Sequence, residues 1–114
     1  MFSRTLLSAL LLPLCACGHT TIAEADFSGD WAKSWCTRDS ECASGDFGND
    51  YADEASCESD KSSDANFSAE WKDFLCGDYD AKAGADCINT MDSLSCADWS
   101  ADEWQNDCAN VYGC

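Results

Sequence analysis

Proline is almost missing from this chain: the single one is Pro13, near the N-terminus. Nothing after it deprives a helix of a backbone N–H donor, so the long remainder is open to continuous helix. Histidine is equally scarce. His19 is the only one, and no Cys or His lies near enough in sequence to join it as a metal-ligand pair or a catalytic dyad. Basic residues number 6 against 22 acidic ones, a net charge of −16. Such a surface repels nucleic acid and anionic headgroups, because all three carry the same sign.

Other absences narrow the chemistry. No Cys-x-x-Cys occurs, which excludes a thioredoxin-like redox pair and a zinc knuckle. No glycine-rich phosphate loop is present. Beyond Cys17 there is also no Cys-Cys or Cys-x-Cys, which separates the chain from plant lipid-transfer proteins and from fungal haem-binding CFEM domains. Nothing in the acidic residues marks a pair of carboxylates as a glycosidase centre. These absences predict a protein without catalysis and without a cofactor.

Aliphatic side chains are few. From Gly18 onward the large ones are Ile22, Leu75, Ile88, Leu94 and Val111, with Met91 beside them. That scarcity, with this charge, is close to the composition of disordered chains. What is present argues the other way. The chain has 10 cysteines and 5 tryptophans in 114 residues. Domains too small to build a sufficient aliphatic core rely on covalent staples, and cysteine-dense short chains belong to oxidising compartments.

Residues 1–16 have the parts of an export signal: Arg4, the apolar run Leu6–Leu12 closed by Pro13, then Leu14-Cys15-Ala16. The run is too short to span a bilayer as a helix. Leu14-Cys15-Ala16-Cys17 resembles the lipobox of bacterial lipoproteins. The resemblance implies that the Cys17 thiol takes a diacylglycerol and becomes the mature N-terminus, so that the partner of this end is the membrane. Gly18, where an Asp would retain a lipoprotein at the inner membrane, implies the outer membrane. Parity agrees with the lipobox. Taking Cys17 out leaves Cys36, Cys42, Cys57, Cys76, Cys87, Cys96, Cys108 and Cys114, an even set that can pair completely. An ordinary cut after Ala16 would leave an odd thiol. A cut after Ala23 would again leave an even set and release a freely secreted factor such as an inhibitor, toxin or small-ligand carrier. The series Cys87, Cys96, Cys108, Cys114 is similar in style to cysteine-rich helical lipoproteins of myxobacteria-like groups, whose function is unknown. The pairing of the eight cysteines stays open.

Residues 17–26 read as a lipidated, mobile tether, and 27–114 as one cysteine-rich helical domain. Phe27, Trp31 and Trp35 recur every fourth residue, with Cys42 on the same face, and predict a helix over 28–43 capped by Ser28 and stopped by Ser44-Gly45. A second helix is expected over 50–60, capped by Asn49, with Tyr51 and Ala55 inward. A polar loop follows over Ser59–Asp64. A third helix over 65–76 carries Phe67, Trp71, Phe74 and Leu75 as its inward face, with Gly77 at its end. Ala83, Cys87, Ile88, Met91 and Leu94 define a fourth helix over 79–94. Ser100 and Glu103 form a capping box, and Trp99 and Trp104 a hydrophobic staple, for a last helix bearing Cys108, Val111 and Tyr112. No stretch alternates with a period of two. The predicted fold is all-α, a bundle of four to five short helices stapled by up to four disulfides.

Acidic clusters invite a calcium reading. Asp78-Tyr79-Asp80 begins like an EF-hand loop, but Lys82, Ala83 and Asn89 stand where a ligand, the glycine and the closing glutamate are needed. Asp46, Asn49, Asp50, Asp53 and Glu54 have no loop pattern. No metal is expected. Asn66-Phe67-Ser68 is a glycosylation sequon, relevant only in a eukaryotic secretory pathway. The sequence therefore predicts an acidic, stapled envelope module, held by lipid, whose partner protein would be basic.

Overall fold

The structure, a computed structural model, describes residues 18–113. The leader, Cys17 with its expected lipid, and Cys114 lie outside the described residues. Six helices occur among those described, and no strand: α1 Glu24–Cys42, α2 Ser44–Asp50, α3 Glu54–Leu75, α4 Ala81–Ser93, α5 Cys96–Ser100 and α6 Trp104–Cys108. The all-α class is as the periodicity requires. Where the helices begin and end differs from expectation at several points, each with a local cause.

The segment expected as a tether is pinned to the body. Ile22 is buried, its N–H donates to the Ala81 carbonyl at 3.1 Å, and its own carbonyl accepts from the Tyr79 hydroxyl at 2.7 Å. Further out, His19 and Asn89 exchange two hydrogen bonds of 2.8 Å. With Ile22 fixed, Ala23 takes an extended conformation and starts α1, and Glu24 and Asp26 sit favourably at the positive end of the helix dipole. Ser28 is accordingly not a cap but a buried residue within α1.

Helix α1 ends at Cys42, next to the expected stop, but Ser44 and Gly45 are helical rather than a loop. They open α2, which exists to deliver Phe47 over the Cys36–Cys57 disulfide, its ring centre 5.4 Å from that of Tyr51. Asp53, rather than Asn49, then caps α3, its carboxylate accepting from the Ser56 N–H at 2.7 Å. That bond holds the Asp53 carboxyl below the usual range.

The expected loop Ser59–Asp64 is helical, and the two helices on either side of it form the single α3. Its polar residues are tolerated because packing on α1 supplies what propensity does not. The Cys36–Cys57 bridge ties α3 to α1, the Lys61 ammonium lies 4.2 Å from the centre of the Trp35 ring, and the Tyr51 hydroxyl reaches Asp60 at 3.1 Å. Ala55, expected inward, is exposed.

Cys87, Ile88 and Met91 of α4 are buried in the main core with Ile22, Phe27, Trp99, Val111 and Tyr112. Asp80 caps α4 through the N–H groups of Lys82 (2.9 Å) and Ala83 (3.0 Å), and Asp86 pairs with Lys82 at 2.9 Å. The acidic run resembling an EF-hand thus serves to start a helix. At the other end of α4, the Arg38 guanidinium donates to the Leu94 carbonyl and pairs with Glu41 at 2.8 Å. A cation at that position meets the negative end of the helix dipole.

The C-terminal capping box is not formed. Ser95 caps α5 through the Asp98 N–H at 3.2 Å, and Ser100 is the last residue of that helix. Asp102 then adopts a left-handed φ of 58°, and α6 begins at Trp104. Two disulfides explain the break. Cys42–Cys96 fixes the start of α5 against the end of α1, so the chain must reverse for Cys108 to reach Cys87. Trp99 and Trp104 still meet, stacked at 5.7 Å.

Candidate functional site

Seven of the eight cysteines expected to be staples, all but Cys114, lie among the described residues, and each is disulfide-bonded. Cys36 pairs with Cys57, Cys42 with Cys96 and Cys87 with Cys108, and Cys76 is also disulfide-bonded. Disulfides of this number are characteristic of oxidising, extracytoplasmic compartments. Among the described residues, no helix is long and apolar enough to cross a membrane. His19 is an exposed residue of the docked N-terminal segment, and its backbone, rather than its ring, makes the contacts with Asn89.

The aromatic residues of α1 and the C-terminal region form one connected cluster. Trp31 lies 6.0 Å from Trp104, Trp35 lies 6.1 Å from Trp99, and Trp99 stacks on Trp104. Phe27 meets Tyr79 at 5.6 Å, and Tyr79 meets Tyr112 at 5.5 Å. Aromatic packing therefore substitutes for the missing aliphatics. Burial is the main cause pushing the Tyr79 hydroxyl up to about 12, with the neighbouring Tyr112, Glu24, Asp30 and Asp80 adding to it.

Beside this cluster lies a groove of about 370 Å³. Phe27, Trp31, Trp104 and Tyr112 form aromatic walls, and Ala65 and Ala69 of α3 contribute small apolar surface. Asp64, Ser68, Lys72 and Gln105 supply its polar groups. Along α3, Asp64 and Lys72 are eight positions apart, about 12 Å at helical rise.

The second feature is on the same helix. Phe67, Trp71, Phe74 and Leu75, expected to face inward, are 65%, 53%, 82% and 68% exposed. The correction has a steric reason. The C-terminal half of α3 carries two stripes at helical spacing. One holds Ala65, Ser68, Ala69 and Lys72, and the other holds the four large apolar residues. Ala69 packs against the main core and Ala65 is half-buried, so the side of α3 that bears these alanines is the one turned to the body, with Ser68 and Lys72 at its exposed edge. Small residues let the backbone of α3 approach, and the large ones are left outward. The Phe67 and Trp71 rings lie edge to face at 6.3 Å, forming a ridge. The recurrence of small residues at 65, 68 and 69 is the available sequence signal for this arrangement.

Acidic residues continue the ridge toward the start of α3. Asp60, Asp64, Phe67, Trp71 and Phe74 follow one another at alternating steps of four and three, which places them on one stripe. All five are exposed. Asp60 accepts from Tyr51, whose hydroxyl is pushed up by burial and by that contact.

No protein-family model, curated protein or solved structure matches the chain. Helix α3 thus borders two features, a small aromatic groove and an acidic-to-apolar stripe, and Asp64 lies at the border of both.

Proposed function

We propose that this is a lipid-anchored, disulfide-stabilised envelope lipoprotein that acts as a protein-binding module without catalysis. The observation that carries the binding part is the outward ridge of α3. Four large apolar side chains stand side by side on a strongly acidic molecule, a pattern that marks an interaction surface.

The anchored part draws support from the docking of residues 19–22. A cut after Ala23 would remove Ile22, and with it a buried side chain and the acceptor of the Tyr79 hydroxyl. A cut before Cys17 keeps both. It also leaves one residue, Gly18, between Cys17 and the docked His19, two Cα steps with a reach of about 7 Å. A lipid on Cys17 would hold the body close against the headgroups rather than on a long leash.

Intact-mass measurement of the exported protein tests this reading. A mature chain that begins at Cys17 and carries a diacylglycerol is expected, and Cys17→Ala should release the folded protein from the membrane fraction. A lipid-free chain beginning at Glu24 would overturn it.

A further inference from the structure

We infer that the α3 stripe is a docking surface for a cationic amphipathic helix of a partner protein, with Phe67, Trp71 and Phe74 as apolar contacts and Asp60 and Asp64 as charge contacts. The inference deepens the protein-binding reading above, and rests on it. The stripe runs from Asp60 to Phe74, about 21 Å at helical rise. Alternating steps of four and three are the spacing at which one helix meets another along a shared seam. Its charge is not uniform: two carboxylates occupy one end and three aromatic rings the other, and exposed Glu70 flanks the rings. Asp64 lies where the stripe meets the groove, and Lys72, a further two turns along, lines the groove and is not a member of the stripe.

That pattern specifies its complement. The partner helix needs apolar residues over Phe67, Trp71 and Phe74, then Lys or Arg one to two turns further along, within reach of Asp64 and Asp60. Arginine also suits the exposed face of Trp71, because a guanidinium both pairs with carboxylates and stacks on aromatic rings. Charge decides among occupants. A second copy of this chain would bring together two molecules of net charge −16 each, and a parallel pairing would set Asp60 and Asp64 against themselves. An anionic bilayer would be repelled for the same reason. A cationic helix is attracted by the acids and covers the rings.

The test uses the oxidised full chain carrying Cys17→Ala, so that lipidation does not enter. The probe is a synthetic helix of leucines and lysines with one apolar stripe, followed by anisotropy, beside a scrambled peptide of the same composition. The amphipathic peptide is expected to bind with an affinity that falls with added salt. The scrambled peptide should bind about tenfold or more weakly, and Phe67→Ser with Phe74→Ser should cost about tenfold or more, as loss of buried aromatic area requires. Asp64→Asn should weaken binding and flatten the salt dependence. Equal binding of both peptides, unaffected by the ridge substitutions, would overturn the docking surface and leave a merely acidic binding module standing. Failure of both peptides to bind would overturn both. Ridge-dependent binding to phosphatidylcholine vesicles in place of the peptide, or ridge-dependent dimerisation in ultracentrifugation, would identify a membrane face or a self-association face and overturn the inference.

Discussion

A β-carbon on Gly84 would lie 2.2 Å from the hydroxyl oxygen of Tyr79. The ring of Tyr79 occupies the space that a side chain at 84 would take, and Phe27 closes the same space at 3.3 Å. This packing lets the Tyr79 hydroxyl reach the Ile22 carbonyl and lock the N-terminal segment to α4. Gly84→Ala must displace a ring held between neighbours, so it should cost about 1–3 kcal/mol despite alanine's higher helix propensity. Gly29→Ala in α1 is the control: a β-carbon there meets nothing within 4 Å, and it should gain about 1 kcal/mol. Urea unfolding of the two variants measures both signs.

Tyr79 also makes a prediction about alkaline pH. Its folded pKa is raised to about 12, mainly by burial, above an ordinary value of 10.0. The native state therefore holds this proton more tightly than the unfolded chain. The stability that goes with it is fully present below the unfolded pKa and is lost as pH rises from there through about 12. Denaturant midpoints should fall across that window, and tyrosinate absorbance should show a Tyr79 component that titrates late, near 12. Tyr79→Phe should remove both the late titration and its share of the pH dependence.

The disulfides bear on stability more heavily than any single contact. Cys36–Cys57 ties α3 to α1, and Cys87–Cys108 ties α6 to α4. Replacing both partners of either bridge by serine should cost about 2–4 kcal/mol. Complete reduction should unfold the chain, because such losses together rival the whole stability of a small domain, about 5–15 kcal/mol. Far-ultraviolet circular dichroism in mild denaturant, with and without reductant, checks this. An unchanged helical spectrum would contradict it.

The ridge should be nearly silent in the same measurements. Phe74 and Leu75 are exposed, so Phe74→Ser should shift the unfolding free energy by no more than about 0.5–1 kcal/mol, most of it helix propensity. Ile88→Ala, in the buried core, should cost about 2–5 kcal/mol. The contrast in denaturant midpoint separates a surface that serves binding from one that serves folding.

Much of the architecture was legible in the chain. Scarce proline, aromatic residues every fourth position and an even set of cysteines after Cys17 were enough for an all-α, disulfide-stapled fold. The buried face of α4 followed from Cys87, Ile88 and Met91, and the inward aromatics of α1 from Phe27, Trp31 and Trp35. These readings rest on local geometry: helical spacing fixes which residues share a face, whatever surrounds them.

Tertiary structure decided the rest. Cysteine pairing depends on which helices come to lie side by side, and no spacing states that. The run Ser59–Asp64 is weak helix by its own composition, and it became helix because Cys57, Asp60 and Lys61 are held by partners on or beside α1. Above all, the C-terminal half of α3 offered two stripes, and hydrophobicity alone pointed to the wrong one. Close approach to the body selected the small residues, since Ala69 fits against the core where a Trp would not. The sequence by itself determined that Phe67, Trp71, Phe74 and Leu75 share a face. Only packing decided that this face looks outward, because which side of a helix is buried depends on the room its neighbours leave.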